Sequence, residues 1–492
     1  MISVIDRRSE QGIAMVTAIL VMFVVSILAV GMMYTSFHNT TSSARNRSWG
    51  QALHVAESGV NQAIAYLQNT EGIVPVGTIS GVTADGTYEY RVLPLGRNRY
   101  QIDSVGTVGA AGTLQSSRRL RVTMAPPRSF QYGMFSLSDV TTKNNNMICG
   151  DVWANANVHV FANDAVRSAE SSECADGSAG DGSVTAATGY VELDQNSIIE
   201  GGVWSGGKNA NGAAITLDNG AEIGGLAKGS SSTPGCGDDP GHSSYKIDNK
   251  GAIIGTATTW GTIIGGGPTG GSFALTCTAA AATKQMPIFS YNANNYPAET
   301  VHEYTFPADY TAFSNYIAAN KSNLSGVFYI TGGDASTPVD LGGVLVGGDL
   351  VVVAMNAPID AMQGIGVVPG NTSDKLVVLA SFYAADASNC STTGGNPGDC
   401  AIGIKNNFAP IGGSVTDGGN TAVLLYAPNG PVAFKNSADF LGAVYANNIQ
   451  VKNNMNIVYD PRVSQIVGFG VTTLEVDLWL ECSPAAVTTS SC

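Results

Sequence analysis

Residues 148–160, ICGDVWANANVHV, carry a short pattern that recurs along the larger part of the chain. The pattern is a glycine, a valine two residues later, an aromatic residue, Ala-Asn and a second alternation of apolar with polar residues. Residues 440–451, FLGAVYANNIQV, repeat it in full. Partial or more distant copies occur at 199–207, IEGGVWSGG, at 341–353, LGGVLVGGDLVVV, at 222–229 and at 253–261. In the copy at 341–353, Leu345 takes the aromatic position.

Each copy predicts a strand, a Gly/Asn turn and a second strand. One such unit cannot bury its own apolar face, but stacked units can. Asn and Gly supply the left-handed corners that such coils need. Because the chain has 60 Gly and only 13% charged residues, its composition does not suit a helical bundle. We predict a Gly/Asn-rich, right-handed parallel β-solenoid or related β-stack over 129–482, and the irregular repeat leaves a β-sandwich open.

Two segments within 129–482 depart from the repeat. Residues 308–323, ADYTAFSNYIAANKSN, place Tyr310, Phe313 and Ile317 at helical spacing, which predicts a helix lying against the stack or capping it. Residues 473–484, TLEVDLWLECSP, alternate apolar with polar residues and predict a last strand of the large domain. The remaining residues, 483–492, are a predicted tail.

The two parts of the chain differ in charge. Residues 1–128 carry 11 Arg, no Lys and 7 acidic residues, a net charge of +4. Residues 129–492 carry 11 Lys, 2 Arg and 31 acidic residues, a net charge of −18. An acidic surface repels a phosphate backbone, so no nucleic-acid partner is expected for the larger part.

All eight cysteines lie after the arginine-rich part. None forms a CxxC motif and no histidine has zinc-finger spacing, so we predict no metal site. An even number of cysteines in a chain whose bulk is exported favours disulfides, with buried free thiols as the alternative. The sequence does not fix the pairing. The simplest choice pairs neighbours: Cys149 with Cys174, Cys236 with Cys277, Cys390 with Cys400, and Cys482 with Cys492.

The N-terminal region contains 25 residues, Ile13 to Phe37, without a charged residue or a histidine. A secretory signal has a shorter apolar core of about 7–15 residues and a small-residue cleavage site. A transmembrane helix needs about 20 apolar residues, which this run supplies. Arg7 and Arg8 precede it, so the positive-inside tendency places the leader in the cytoplasm and the bulk outside.

The segment beyond the apolar run predicts a continuation of the same helix. Residues 47–68, RSWGQALHVAESGVNQAIAYLQ, contain no proline. Apolar residues recur there at alternating steps of four and three, which is one seam on a helix. The members of this seam are Trp49, Leu53, Ala56, Val60, Ala63 and Leu67. One helix over 13–68 would be roughly 84 Å long, with 13–37 as its transmembrane half.

Residues 69–128 predict a small antiparallel meander. Tyr88, Tyr90 and Val92 alternate with polar residues, and similar alternations follow after a GRN turn and at SSRRLRVTM. One face would cover the helix. We expect the arginines of this segment, Arg119 among them, to form a solvated outer face.

The junction at the end of the leader resembles the class III signal peptide of type IV pilin-like proteins. RRSEQG, residues 7–12, runs directly into IAMVTAILVMFVVSILAV, residues 13–30. ALHVAESGVNQAIAYL, residues 52–67, is similar to PilX-type minor pilin N-termini, which often carry an AE(A/S)G-like stretch. The resemblance implies an α+β pilin-like N-terminal part before the β domain. It also implies that a prepilin peptidase cuts between Gly12 and Ile13, leaving a methylated Ile13 as the new N-terminus.

One position departs from the major pilins. They usually have Glu as the fifth residue of the mature chain, and this chain has Thr17. A carboxylate in the bilayer is costly unless it meets a partner, which in the family is a neighbour's N-terminal amine. The departure favours a minor or tip subunit over a repeating one. The resemblance implies as partners other pilin-like subunits, the inner-membrane assembly machinery, the prepilin peptidase and, before assembly, lipid.

Signals for chemistry are weak, and no enzyme activity or cofactor is predicted. GGVWSGGKN, residues 201–209, lacks the Ser or Thr of a P-loop and reads as a turn. Asp238, Asp239 and His242 lie together in a Pro/Gly loop and support the alternative of an anchored β-helix enzyme acting on polysaccharide. An anchored adhesin without a filament is a third possibility. The Asp-rich stretch 386–399 lacks EF-hand spacing for calcium.

Overall fold

The computed structural model divides the chain into two compact units. The first comprises Met1–Ala125 with Thr472–Cys492, and the second is Pro126–Val471. The structure describes residues 8–482 apart from a set of short segments. Those segments are 71–73, 97–98, 110–114, 126–129, 175–179, 231–245, 260–261, 270–271, 276–279, 290, 292–299, 362, 372, 389, 391–398, 406–420, 436–437 and 466–474.

The first unit begins with one long helix, α1, Arg8–Asn69. An antiparallel meander follows, as the alternating pattern predicts. Its strands are β1 Thr78–Val82, β2 Thr87–Gly96, β3 Arg99–Val108 and β4 Ser116–Ala125. Tyr90, Ile102 and Leu120 are buried on one face of this sheet, together with the C-terminal half of α1.

The second unit is mostly β, and its described strands pair in parallel along three ladders. Ladder 1 contains, in spatial order, β23 Val301–Phe306, β24 Leu324–Gly332, β26 Val344–Ala354, β29 Lys375–Ser381, β31 Thr421–Lys435, β32 Ala438–Lys452, β5 Met134–Ser136, β8 Val152–Ala154, β11 Val184–Ala186, β14 Val203–Ser205, β17 Ala227–Gly229, β20 Ala257–Thr259 and β22 Phe273–Leu275.

Ladder 2 contains β25 Val339–Asp340, β27 Ile359–Ala361, β30 Ile402–Lys405, the second halves of β31 and β32, β6 Val140–Lys143, β9 Val158–Val160, β12 Val191–Leu193, β15 Ala213–Leu217, β18 Lys246–Asn249 and β21 Ile263–Gly265. Ladder 3 has two parts. One joins β26 to β28 Ile365–Val367. The other contains the start of β32, β33 Met455–Tyr459, β7 Met147–Cys149, β10 Ala165–Arg167, β13 Ile198–Ile199, β16 Glu222–Ile223 and β19 Ala252–Ile253.

The order of strands in space differs from their order in the chain. The turns built from residues 134–275 stack on those built from 301–459, so the chain enters this unit in the middle of the stack. β32 joins the two halves by pairing with both β5 and β6. β33 pairs with β7 at the same level. Because these pairings are parallel, they do not match the antiparallel ladders of a β-sandwich.

The repeated pattern in the sequence corresponds to equivalent positions in ladder 1. Val152, Val203 and Val444 occupy one column that points into the buried core. The aromatic residue that follows each valine lies in the neighbouring column, on the opposite face of the strand, where Trp153 and Tyr445 are buried in a second apolar cluster. The register predicted for the fourth copy is wrong. Val344 and Leu345 pair with β28 in ladder 3, because the ladder 1 segment of β26 starts at Leu350.

A short helix, α2, Tyr310–Asn320, lies within the predicted span 308–323. Phe313 and Ile317 are buried and contribute to the main core. The Phe313 ring lies 5.5 Å from that of Phe306 on β23. Among the described strands β23 pairs only with β24, so α2 covers the core beside the terminal described strand of ladder 1. A cover of this kind protects the end of a stacked core from water. A short 3-10 helix, Pro461–Gln465, follows β33.

The last strand lies in a different sheet from the one predicted. β34, Glu475–Cys482, pairs antiparallel with β4 of the first unit, with Glu481 opposite Leu120. Alternation in the sequence identified a strand but carried no information about its partner. The large domain is therefore inserted between two neighbouring strands of the first unit's sheet.

Two of the predicted disulfides are present among the described residues. Cys149 bonds to Cys174, and Cys390 bonds to Cys400. Cys482 is also disulfide-bonded. The other predicted members, Cys236, Cys277 and Cys492, lie outside the described residues.

Close stacking of successive turns predicts a glycine-dependent stability. A Cβ added to Gly206 would overlap the carbonyl oxygen of Ala187 on the preceding turn, whereas one added to Gly267 would meet nothing within 4 Å. We expect Gly206→Ala to destabilise the second unit by about 1–3 kcal/mol through overpacking, and Gly267→Ala to leave it unchanged. Differential scanning calorimetry of both variants checks this. Equal melting temperatures for the two variants would contradict the close stacking.

Candidate assembly helix

The N-terminal half of α1 is apolar and contacts no other part of the described chain. Its side chains are exposed from Met15 through Arg47. The large apolar ones remain well exposed on every side of the helix, with Met15 at 67% and Tyr34 at 73%. By length and composition this is a helix that can cross a membrane. A helix that is apolar all round requires lipid or other helices around it.

The C-terminal half of α1 docks on the meander. Contact begins where the hydroxyl oxygens of Ser48 and Ser116 lie 2.8 Å apart. From Ala56 onward the predicted seam is the buried face of the helix. Ala56, Val60, Ala63 and Leu67 are all fully buried. Ala52 and Val55 are also buried, although they lie outside the predicted seam.

The first two seam residues are less buried than predicted. Leu53 is half-buried, and Trp49 is 44% exposed. The Arg118 guanidinium lies 4.7 Å from the centre of the Trp49 ring. It also forms an ion pair with Glu481 of β34, at 2.8 Å. Trp49 therefore stays at the surface and meets β4 through a cation–π contact with Arg118 instead of entering the core.

The AESG stretch, residues 56–59, lies where helix and sheet approach most closely. The Ser104 hydroxyl donates a hydrogen bond of 2.8 Å to the carbonyl oxygen of Ala56. A Cβ on Gly59 would overlap that hydroxyl, and a Cβ on Gly106 would overlap the backbone of the helix at Ala52. The small residues in this stretch are therefore required by the distance between the two backbones.

The opposite face of the sheet holds a buried charge cluster, which corrects the expectation of a solvated arginine face. Arg119 is fully buried and its guanidinium lies 3.0 Å from the Asp103 carboxylate. Arg121 approaches the same carboxylate at 2.9 Å. Two cations on one buried carboxylate tie β3 to β4. Breaking such a cluster by removing one member typically costs about 3–5 kcal/mol.

The predicted processing residues lie inside α1. The helix begins at Arg8 and continues through Gly12 and Ile13, whose side chains are outside the description. Thr17 is exposed on the apolar half of the helix. The structure therefore does not separate the leader from the mature chain, and cleavage at this junction stays a prediction.

Of the other sequence signals, the structure describes the P-loop-like segment and only part of the acidic stretches. Gly206 and Gly207 form the turn between β14 and β15, where an added Cβ would overlap the backbone of the preceding turn, so the P-loop-like segment is a stacking turn with no helix after it. Asp238, Asp239 and His242 lie outside the described residues, as does most of 386–399. Asp386 accepts hydrogen bonds from the backbone and hydroxyl of Ser388, as in an ordinary turn.

Comparisons of the chain with protein-family models, with curated proteins and with solved structures found no match. Function is therefore argued from the residues of this chain alone.

Two glycines on the same helix provide a matched test of the docked half. Gly50 and Gly59 both gain about 1 kcal/mol of helix propensity when changed to Ala. A Cβ on Gly50 meets nothing within 4 Å, whereas one on Gly59 overlaps Ser104. We expect Gly50→Ala to preserve or raise amide-exchange protection over residues 52–67, and Gly59→Ala to lower it. Hydrogen-exchange mass spectrometry measures this, and equal protection in both variants would refute the tight docking.

Proposed function

We propose that this chain is a minor pilin-like subunit of a type IV pilus or a related secretion filament. The observation that carries the proposal is α1, which has an apolar half exposed on all sides and a second half docked on its own sheet. In this proposal the free half lies in the inner membrane first. It then packs among the equivalent helices of other subunits.

The length of the free segment supports this role. From Met15 to Arg47 every residue of the helix is exposed in the part of the chain that the structure describes, a distance of roughly 50 Å at 1.5 Å per residue. A bilayer core needs only about 30 Å of it. The rest of this helical segment would extend beyond the membrane before the helix docks on the sheet. Such a length suits a subunit whose globular part is kept away from the membrane surface.

Thr17 supports a minor or tip position over a repeating one. Its side chain is exposed on the apolar half of α1, so a carboxylate there would face lipid or a neighbouring helix. Without that carboxylate the subunit lacks the charge that repeating pilins use to meet a neighbour's N-terminal amine. A single insertion at one end of a filament tolerates this absence.

We infer that the three ladders of the second unit form a β-solenoid displayed outside the cell. Parallel pairing in three columns, with one column of Val, Met and Ala pointing into a shared core, is the arrangement of a stacked coil. Its strong negative charge keeps it soluble and away from anionic surfaces. Adhesion or contact with a partner is the task that fits such a displayed domain, with a surface or glycan ligand.

The alternatives differ in what they require. An anchored β-helix enzyme would use Asp238 and Asp239, so unchanged glycan turnover in the double Asn variant would remove the reason to consider it. An anchored adhesin without a filament would keep the same apolar helix but would not be processed at Gly12. Processing therefore distinguishes the proposed filament subunit from a plain anchor.

We expect mass spectrometry to find a mature chain beginning at methylated Ile13 when a prepilin peptidase is co-expressed. The intact chain from Met1 should be found when the peptidase is absent. Gly12→Val should block the cut, because the proposed junction depends on that glycine. Gly31→Val provides the matched control, since Gly31 lies in the same apolar helix with nothing within 4 Å.

The control variant should be cut like the unaltered chain. A chain that keeps Met1 in the presence of the peptidase would overturn the proposal and leave a membrane-anchored β protein. So would a cut at another bond, or equal processing of the Gly12 and Gly31 variants.

A further inference from the structure

Three potential metal ligands meet on the outer face of ladder 2. His159 on β9 pairs directly with Glu192 on β12, and Asp194 follows that strand. The His159 Nε2 atom lies 3.2 Å from Asp194 Oδ1 and 3.9 Å from Glu192 Oε2. One donor atom from each residue lies within 4.8 Å of the other two. The three side chains are about equally exposed, at 27%, 33% and 27% for His159, Glu192 and Asp194.

We propose that His159, Glu192 and Asp194 bind one divalent transition-metal ion of the Zn²⁺ type. Ligand atoms on a tetrahedral ion with bonds of about 2.0–2.1 Å are roughly 3.3 Å apart, which is close to the separation between His159 and Asp194. The flexible Glu192 side chain needs to move by only about 1 Å to complete the set. One imidazole nitrogen with two carboxylates suits Zn²⁺, Co²⁺ or Mn²⁺ better than Ca²⁺, which prefers a shell of oxygens.

The His159 ring is held in place before any ion binds. The Phe161 ring stacks on it with a centroid distance of 3.8 Å. The Lys143 Nζ atom lies 5.1 Å from the centre of the Phe161 ring. The Asp194 backbone is fixed as well, because its amide donates to the carbonyl oxygen of Val160. A ring fixed by stacking and a carboxylate fixed by the ladder lose little freedom on binding.

The local charge favours a cation. Two carboxylates belong to the cluster. The Lys143 ammonium lies 5.1 Å from the centre of the Phe161 ring, and none of the ion pairs described joins it to these carboxylates. A bound divalent ion would balance this charge.

The ion would join two successive turns of the stack. His159 and Asp194 are 35 positions apart in the chain. The segment between them contains Cys174, which is disulfide-bonded to Cys149. It also contains Arg167, which forms an ion pair with Glu200, six positions after Asp194. Linking the turns at this point would stabilise the second unit in proportion to the logarithm of ion concentration. Three protein ligands also leave a position open to water or to an oxygen of a partner.

The test uses the full chain, without a histidine tag, in detergent and stripped of metal by a chelator. Isothermal titration with Zn²⁺ should give one ion per chain, and Ca²⁺ should bind far more weakly. Asp194→Asn and Glu192→Gln, which keep side-chain shape, and His159→Ala should each weaken Zn²⁺ binding by on the order of a hundredfold. Asp248→Asn is the matched control, since Asp248 lies in the same outward column two strands further along.

The outcomes separate an ion site from a simple ion pair between His159 and Asp194. Zn²⁺ binding that is lost in the three variants and kept in Asp248→Asn supports the site. Absent binding, binding equal in all variants, or tighter binding of Ca²⁺ than of Zn²⁺ would each overturn it. Far-ultraviolet circular dichroism shows that the variants are folded, so that lost binding reports the ligands.

Discussion

The second unit depends on a strand pairing between residues about three hundred positions apart. Val444 pairs with Met134 and Ile449 with Val140, so that β32 forms the floor on which β5 and β6 lie. Tyr445 strengthens the join, because its ring stacks on Phe135 at 5.1 Å. Without this pairing the unit would be two shorter stacks, each with one more set of open strand edges. Pairing across so long a separation has a large entropic cost. Because the partner strands lie near the end of the unit, the stack is completed only after residues near 459 have been synthesised.

The same constraint, close approach of one backbone to another, explains the glycines of both units. In the stack, Gly206 lets one turn lie on Ala187 of the turn before, since parallel strands are only about 4.8 Å apart. In the first unit, Gly59 and Gly106 let α1 lie against β3. The first unit adds a buried Asp103 whose two arginine partners hold β3 and β4 together on the far face. At Gly59, Gly106 and Gly206, the absence of a side chain is thus a consequence of how tightly the layers stack.

The sequence predicted what is local and missed what is not. The alternation around Val152, Val203 and Val444 identified the column that enters the main core, because that pattern records which residues share one side of a strand. It could not identify the partner of β34, the true register of Leu345, or the order of turns in space, since each depends on distant residues. The cluster of His159 with Asp194 escaped for the same reason: ladder pairing brings them together, and no spacing motif marks them. Trp49 was misplaced because helical periodicity does not reveal where a sheet ends.

The apolar half of α1 is separated from the docked half by a polar stretch, residues 38–47. Hydroxyl groups here bond to the helix's own backbone, as Thr40 does to the carbonyl oxygen of Ser36 and Thr41 to that of Phe37. Arg45 and Arg47 are exposed at its end, where anionic headgroups would attract them. A helix built only to be removed needs no such stretch between an apolar core and a docked seam. A helix anchored in lipid by its apolar half would need one, because the sheet would otherwise meet the membrane surface.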